Sequence, residues 1–223
     1  MKTLICFVGF VLVFSACNKN SNNNPQTSIR VMNASPNATS VNLAPDGKVL
    51  ISAVKYGLVS DYFKVDAGGF NIRMNLEGSV LPFTNTDVVL DADKNYTIVI
   101  ADSISRLKKS LVIDNLSDPP AGKSFVRFFH LAGNGPTVDL FKGGTAVFSG
   151  RVFNDQSNGA GVNYTAIDPG TQTFEVRSSG SGSIISLLSN VNLAAGKIYT
   201  IVVRGYVGGA GSQGVVMNLY TDK

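Results

Sequence analysis

The chain of 223 residues contains two cysteines, one histidine and no tryptophan. The scarcity of cysteine excludes a disulfide framework, and with a single histidine too few ligands remain for a zinc site. Nineteen Lys and Arg residues against fifteen Asp and Glu residues leave only a small positive excess. That excess forms no dense basic run, which argues against a nucleic-acid-binding face. The composition therefore predicts no metal, no cofactor and no nucleic-acid partner.

The N-terminus reads as a secretion signal. Lys2 precedes an apolar run over residues 4–14, which is shorter than the roughly 20 residues that cross a bilayer as a helix. It has the length of a signal-peptide hydrophobic region, and small residues follow it. Ser15, Ala16 and Cys17 resemble the lipobox of bacterial lipoproteins, although Phe14 replaces the usual Leu. We predict a signal peptide over residues 1–16 and acylation at Cys17; an ordinary secretory signal with an incidental cysteine is the alternative.

The segment after the signal is rich in asparagine and cannot bury a core. Residues 17–27 are therefore predicted to be the acylated cysteine and a disordered tether to the membrane. No acidic residue directly follows Cys17. This feature favours the periplasmic leaflet of the outer membrane over the cell surface. The expected membrane contact is the lipid anchor.

Two copies of one unit fill the rest of the chain. Three segments recur in the same order: 29–33 (IRVMN) as 126–130 (VRFFH), 40–43 (SVNL) as 137–140 (TVDL), and 90–99 (LDADKNYTIV) as 193–202 (LAAGKIYTIV). A repeat of this length is too long for a solenoid and has the size of a small domain. We predict repeat 1 over residues 28–118, a linker over 119–123 and repeat 2 over 124–223, with extra loop residues in repeat 2.

Each unit is predicted to be all-β. Apolar residues alternate with polar ones, and turn residues punctuate the chain at short intervals. This pattern indicates two tandem immunoglobulin-like antiparallel β-sandwiches of about seven strands each. A shared Leu-x-Ala-x-Lys-x-Tyr pattern ends at Tyr96 and Tyr199. It resembles a tyrosine corner, in which the hydroxyl bonds backbone a few residues upstream.

A family resemblance rests on four stretches of the first unit. They are residues 30–36 (RVMNASP), 40–43 (SVNL), 62–68 (YFKVDAG) and 96–97 (YT). They resemble the bacterial family catalogued as domain of unknown function 4397, once per repeat, although residues 130–133 of repeat 2 lack the Ser-Pro pair. With the lipobox and tether, the chain is similar to lipoproteins of the Bacteroidetes. The resemblance implies a β-sandwich, export and often tandem copies, and no established activity.

The sequence offers few groups for catalysis. His130 is the only histidine, and it aligns with Asn33 of the first unit. We predict that both side chains hydrogen-bond the loop backbone at the end of a first strand. A Ser-His-Asp arrangement remains formally open, but no catalytic residue is predicted.

We predict a binding loop and a modification site in two further loops. The glycine-rich stretch at residues 207–214 does not precede a helix, so it is not a phosphate loop. Lying beside Tyr206, it is predicted to form a binding loop that includes Gly208 and Gly209. The tripeptide DSI at residues 102–104 matches a short O-glycosylation pattern and predicts modification at Ser103.

These features favour a non-enzymatic cell-envelope lipoprotein that acts as a structural, accessory or protein-interaction module. The alternative is a surface glycan- or peptide-binding lipoprotein. The expected partner is an envelope protein or a glycan. The lack of tryptophan weakens the glycan reading, since sugar sites favour exposed aromatic side chains.

Overall fold

The computed structural model describes residues 24–159 and 161–223, in which the regular elements are β-strands and four short 3-10 turns. The first eight strands are β1 (Gln26–Ala34), β2 (Ser40–Leu43), β3 (Ile51–Lys55), β4 (Phe63–Asp66), β5 (Gly68–Leu76), β6 (Pro82–Leu90), β7 (Asn95–Ala101) and β8 (Lys108–Ile113). The next eight are β9 (Ser124–Ala132), β10 (Val138–Lys142), β11 (Thr145–Arg151), β12 (Thr165–Ile167), β13 (Gly170–Ser178), β14 (Ile184–Leu193), β15 (Ile198–Gly205) and β16 (Val216–Thr221). The 3-10 turns are Pro45–Gly47, Ile104–Arg106, Asp155–Asn158 and Gly211–Gln213.

Each half of the chain folds into two four-stranded sheets with the same strand order. The first half has the orders β4-β1-β7-β8 and β3-β2-β5-β6. The second half repeats them as β12-β9-β15-β16 and β11-β10-β13-β14. Each half is a sandwich, so the prediction of an all-β chain with two tandem sandwiches is confirmed.

Strand direction differs from the antiparallel prediction at one place in each sandwich. β1 pairs with β7 in parallel, and β9 pairs with β15 in parallel. Parallel neighbours need a crossover connection. Here the chain visits the opposite sheet between the two strands, and alternation within a strand does not reveal that route. Each sandwich also has eight strands, one more than the roughly seven expected from the immunoglobulin pattern.

Each sandwich encloses its own hydrophobic core. In the first, Ile29 of β1 and Ile98 of β7 pack with residues from the β2-containing sheet. In the second, Val126 and Phe128 of β9 pack with Ile201 of β15 in the same manner. Both cores are continuous across two sheets, as independent domains require.

A third apolar cluster joins the two sandwiches. All but one of its buried members come from the central strands of the two halves, and Val112 comes from the edge strand β8: Met32, Ala34, Val99, Ala101, Val112, Phe129, Leu131 and Val202. Successive residues of a strand point to opposite faces. The central strands are therefore buried on both faces, and the β1 and β9 sheets form the middle of a four-layer stack.

Several predicted boundaries fall at the edges of the described chain. The predicted signal peptide, Cys17 and most of the tether lie outside the described residues. The tether was expected to end at residue 27, whereas β1 already begins at Gln26. The linker contains a turn in which the backbone N of Lys123 donates to the carbonyl of Pro120 at 2.9 Å. Across residues 24–159 and 161–223, no helix has the length and hydropathy to cross a membrane.

Candidate functional site

The most deeply buried charged groups lie between the two sandwiches. Arg30 Nη2 lies 2.6 Å from Asp222 Oδ1, and Arg127 Nη2 lies 2.5 Å from Asp114 Oδ1. Each pair joins one sandwich to the other, because Asp114 follows β8 and Asp222 follows β16. All four side chains are at most 3% exposed. We call these four residues the interface ion-pair network.

Neutral side chains complete the hydrogen bonds around Asp114. Thr97 accepts from Arg30 Nε at 2.8 Å and donates its hydroxyl to Asp114 at 2.6 Å. The Tyr62 hydroxyl donates to the same carboxylate at 2.7 Å. Arg30 Cζ lies 4.5 Å from the centroid of the Tyr62 ring. The carboxylate is therefore both paired and fully surrounded by donors.

The second half of the network repeats this arrangement around Asp222. Thr200 accepts from Arg127 Nε at 2.8 Å and donates to Asp222 at 2.5 Å. The Tyr164 hydroxyl donates to Asp222 at 2.8 Å. Arg127 Cζ lies 4.7 Å from the Tyr164 ring centroid and 4.6 Å from that of Phe129. Equivalent residues play equivalent roles, so the network has approximate twofold symmetry.

The two arginines of the network have raised pKa values. Burial lowers the pKa of Arg30, but the carboxylates of Asp222 and Asp114 raise it by more, and the net shift is upward. The same opposing effects raise the pKa of Arg127. Burial, followed by the Asp114 carboxylate, raises the pKa of Tyr62. General acid–base catalysis works best with a pKa near the operating pH. The pKa values of Arg30, Arg127 and Tyr62 are all shifted further above pH 7.

His130 and Asn33 occupy equivalent places at the ends of β9 and β1. His130 Nε2 donates to the carbonyl of Pro136 at 2.9 Å, and Nδ1 accepts from the backbone N of Ala132 at 3.4 Å. Burial lowers the pKa of the His130 imidazole. The Asn33 amide donates to the carbonyl of Ala38 at 2.7 Å. The side chains of His130 and Asn33 therefore both bond backbone groups close to the ends of their strands.

Sequence reasoning missed a buried ion pair beside His130. Arg151 Nε lies 2.6 Å from Asp155 Oδ2 and its Nη2 lies 2.5 Å from Oδ1. The strand register places Val54 at the equivalent position of the first sandwich, so the repeat gave no signal for it. Gln156 of the same loop donates to the Ser110 hydroxyl at 3.2 Å. The extra loop of the second sandwich thereby touches the first.

The two tyrosines of the repeated Leu-x-Ala-x-Lys-x-Tyr pattern bond backbone upstream. The backbone N of Asp91 donates to the Tyr96 hydroxyl at 3.0 Å. The backbone N of Ala194 donates to the Tyr199 hydroxyl at 3.0 Å. Both hydroxyls therefore close a loop that leads into a central strand.

The glycine-rich loop is held against the first sandwich. The Tyr206 hydroxyl donates to Asp102 at 2.8 Å. The backbone N of Tyr206 donates to the carbonyl of Gln213 at 2.8 Å. Gly209 N donates to the carbonyl of Tyr206 at 2.9 Å, and Gly208 adopts a φ of 76°. Tyr206 therefore helps to join the sandwiches. A binding role for this loop stays a prediction.

Ser103 sits next to that contact. The residue is 8% exposed, and its hydroxyl lies 3.1 Å from the hydroxyl of Ser105. Its backbone N donates to Asp102 at 2.7 Å. A glycan on Ser103 would require this loop to move, so the burial disfavours the predicted modification in the folded chain.

Two of the concave surfaces in the described part of the chain bear on ligand binding. A groove of about 520 Å³ beside β4 and β5 is lined by Gln26, Asp46, Lys64, Asp66, Phe70 and Asn71. A pocket of about 390 Å³ is lined by Tyr56, Arg204, Gly211, Ser212, Gly214 and Val216. We call them the β4–β5 groove and the junction pocket. No cluster of His, Cys, Asp and Glu that could hold a metal ion occurs in the described part of the chain.

Residues 27–141 match a family model described as a domain of unknown function, DUF4397. The chain belongs to this family. The match covers the first sandwich and continues through the linker into β9 and β10. It therefore does not end at the predicted boundary of repeat 1.

Other comparisons of this DUF4397 chain are less informative. It is similar to CBMbc, a family CBM26 module of Eubacterium rectale Amy13K, crystallised in complex with maltoheptaose. The two are 11% identical; the match covers 89% of this chain and 97% of that chain, with a TM-score of 0.25. A score this low gives no basis for transferring function. No curated protein matches the chain.

Proposed function

We propose that the chain is a non-enzymatic lipoprotein of the cell envelope, acting as a structural, accessory or protein-interaction module. The observation that carries this proposal is the interface ion-pair network. In it, each buried arginine of one sandwich pairs with a buried aspartate of the other. Two sandwiches joined in this way present their outer sheets, hairpins and loops in a fixed relation. A scaffold that binds a partner needs its contact surfaces held in such a fixed arrangement.

The arrangement of the polar groups supports a role without catalysis. Both ring nitrogens of His130 bond backbone, so neither is available to activate a nucleophile. The buried carboxylates of Asp114 and Asp222 are paired with arginines. The buried carboxylate of Asp155 is paired with Arg151. A hydrolase finds no support in this set.

Exposed apolar side chains supply a surface for a partner. Val80 and Leu81, at the tip of the β5–β6 hairpin, are 85% and 76% exposed, and Val89 of β6 is 74% exposed. Ile184 is exposed at the start of β14, the counterpart of β6. Val80 and Leu81 are adjacent at the hairpin tip, and we propose this pair as the contact because exposed apolar patches are typical of interaction sites.

The anchor belongs to the same proposal. Cys17 would be acylated after removal of residues 1–16, and the lipid would hold the protein at the outer membrane, with the periplasmic leaflet favoured. The second sandwich would be a second copy of the family, which its repeated sequence and identical strand order support.

Metabolic labelling with palmitate in a bacterial host tests the anchor. We expect Cys17→Ser to abolish the label and to release the protein from the membrane fraction. Cys6→Ser is the matched control, because Cys6 lies within the predicted signal peptide and should leave the label unchanged. Label retained in Cys17→Ser would contradict the proposed anchor.

Affinity capture from the native envelope tests the interaction role. We expect one stoichiometric partner, and we expect Leu81→Asp to reduce its recovery. Val152→Asp changes another exposed apolar residue, in the loop after β11, and serves as the control. Equal recovery with Leu81→Asp would show that the hairpin is not the contact. Recovery of no partner, together with binding on a glycan array, would favour the alternative.

The alternative is a glycan- or peptide-binding lipoprotein, and the β4–β5 groove is the observation that favours it. Its wall combines the half-buried ring of Phe70 with the polar groups of Asp66 and Asn71. Small-ligand sites combine apolar surface with a few polar groups in this way. Loss of array binding in Asn71→Ala, with binding retained in Asn192→Ala on β14 of the second sandwich, would support this function.

A further inference from the structure

We propose that the junction pocket binds a carboxylate group, carried by a ligand no larger than a monosaccharide or an amino-acid residue. The inference rests on the proposed binding role of the chain and names the chemistry that this role would recognise. The pocket has a volume of about 390 Å³. This lies within the range of roughly 300–1,000 Å³ that small-molecule sites occupy.

The pocket exists only because the two sandwiches are joined. Tyr56 comes from the segment after β3 of the first sandwich. Arg204 lies on β15 of the second, and Ser212 belongs to the glycine-rich loop. Arg204 is the one charged residue among the described residues that line this pocket, and none of them is acidic. The site therefore favours an anion.

The Arg204 guanidinium is held in a defined position. Its Cζ lies 4.3 Å from the centroid of the Tyr56 ring, and its Nε donates to Asn218 Oδ1 at 3.1 Å. It also lies against the backbone of Gly57, where a Cβ would come within 2.3 Å of Nη2. A cation positioned in advance loses less conformational freedom when a ligand binds.

Arg204 differs from the buried arginines in having no acid partner. Arg30, Arg127 and Arg151 each pair with an aspartate. No carboxylate lies within salt-bridge distance of Arg204 in residues 24–159 and 161–223, and its polar neighbours Asn218 and Tyr220 are uncharged groups. A guanidinium presents a planar fork of donors that matches a carboxylate.

The repeat itself shows that the fold does not need this arginine. Strand pairing places Arg204 opposite Leu131, and the equivalent pair in the first sandwich is Ala101 opposite Ala34. The first sandwich thus completes the same strand with a small apolar residue. A half-buried arginine without a counter-ion is costly to desolvate, and binding of an anion would offset that cost.

A second polar atom beside the pocket also lacks a partner. The Tyr56 hydroxyl is buried and makes no hydrogen bond within the described part of the chain. A buried hydroxyl that makes no hydrogen bond destabilises the folded chain. The Ser212 side chain, in contrast, is exposed at the rim of the pocket and offers a further donor.

Titration calorimetry on the full chain, made with Cys17→Ser to avoid the lipid, tests the proposal. The probes are D-glucuronate against D-glucose, and N-acetylglutamate against N-acetylglutamine, with the α-carboxyl of both amino acids blocked as the methylamide, so that each pair differs by one carboxylate. We expect binding of a carboxylate member and none of its neutral counterpart. Arg204→Gln should weaken binding at least about tenfold, because the variant loses the charge-assisted hydrogen bonds to the carboxylate. Arg204→Lys should weaken it less.

The matched control is Arg73→Gln. Arg73 lines a surface pocket of the first sandwich with Asn42 and Asn75, likewise without an acidic residue among the described lining residues. We expect its substitution to leave the affinity unchanged. If Arg204→Gln fails to fold, the Nε–H resonance of Arg204 in the unsubstituted chain gives the answer, because glucuronate or N-acetylglutamate must shift it.

The outcomes separate the two proposals. Binding of glucuronate alone supports an acidic sugar as the source of the carboxylate, and binding of N-acetylglutamate alone supports an acidic peptide. Equal binding of neutral and charged probes, or no binding of any probe, would overturn the inference. If no probe binds while the envelope partner is still captured, the inference fails and the proposed interaction role stands.

Discussion

At the scale of single residues, the charged groups divide into those that join the sandwiches and those at the surface. Arg127 and Asp114 are fully buried, whereas Lys123 and Asp168 form an exposed ion pair. Removing one partner of a buried pair leaves the other charge uncompensated. An exposed pair is solvated, and its loss matters little. The two pairs therefore make very different contributions to stability.

We expect Arg127→Met to lower the free energy of unfolding by about 3–5 kcal/mol, because Asp114 loses its buried counter-ion. Lys123→Met should change it by less than about 1 kcal/mol. Urea denaturation of both variants measures the difference. Equal effects would show that the interface ion-pair network does not hold the sandwiches together.

His130 should make stability depend on pH. Burial lowers its pKa in the folded chain, so below its ordinary pKa of about 6.5 the unfolded chain binds more protons. The contribution of the neutral imidazole to the free energy of unfolding should therefore be complete above that pH. It should fall as the pH drops toward the folded-state pKa, by at most about 1.4 kcal/mol per pH unit. Nearby Asp155 and Arg151 have opposing effects on this pKa.

His130→Asn tests this expectation, since Asn33 fills the same place in the first sandwich. The chain has a single histidine, so the variant should lose the slope of unfolding free energy between about pH 7 and 5.5. Denaturation curves at several pH values measure it. A slope that persists in the variant would assign the pH dependence to other groups.

At the scale of elements, the turns after β3 and after β5 use glycine for different reasons. Gly57 and Gly78 have nearly the same backbone angle, with φ of 79° and 80°. A side chain at Gly78 meets open space, but one at Gly57 meets the guanidinium of Arg204. Gly57 therefore serves both the turn and the contact between sandwiches.

Alanine at either glycine should lower the free energy of unfolding by about 1–2 kcal/mol, because a residue with a Cβ is strained in the left-handed backbone conformation. We expect Gly57→Ala to cost a further 0.5–2 kcal/mol or so, because the guanidinium must leave the Tyr56 ring. Thermal or urea denaturation of the two variants measures the excess. Equal losses would mean that Arg204 moves aside without cost.

For the strands, the sequence correctly predicted an all-β fold but did not predict the parallel pairs. The alternation in residues 29–33 and 199–203 indicated strands correctly. The parallel pairing of β1 with β7 could not be predicted from alternation, because it depends on the order in which the chain visits the two sheets. Likewise, no local signal marked the Arg151–Asp155 pair, since the repeat has Val54 there.

At the scale of the whole molecule, the two sandwiches contact each other in the manner of a symmetric dimer. Arg30 of the first reaches Asp222 of the second, and Arg127 of the second reaches Asp114 of the first. Such reciprocal contact is the mark of an isologous interface. Here the two partners are halves of one chain, so the interface does not depend on concentration.

The full chain should therefore unfold in one cooperative transition. Val202→Asp places a charge in the buried cluster between the sandwiches and should divide the transition into two. Val89→Asp, at a residue 74% exposed, should leave a single transition. Urea denaturation followed by circular dichroism measures both. Two transitions in the unsubstituted chain would show that the sandwiches unfold independently of each other.

The sequence by itself determined the strands, the repeat and the polar residues at the strand ends, because these follow from alternation and from comparison of one unit with the other. Only the tertiary structure decided which charges meet. Arg30 and Asp222 lie at opposite ends of the chain, and Tyr56 and Arg204 belong to different sandwiches. Their contacts arise from the packing of two central sheets, and no local pattern encodes a distance between residues so far apart.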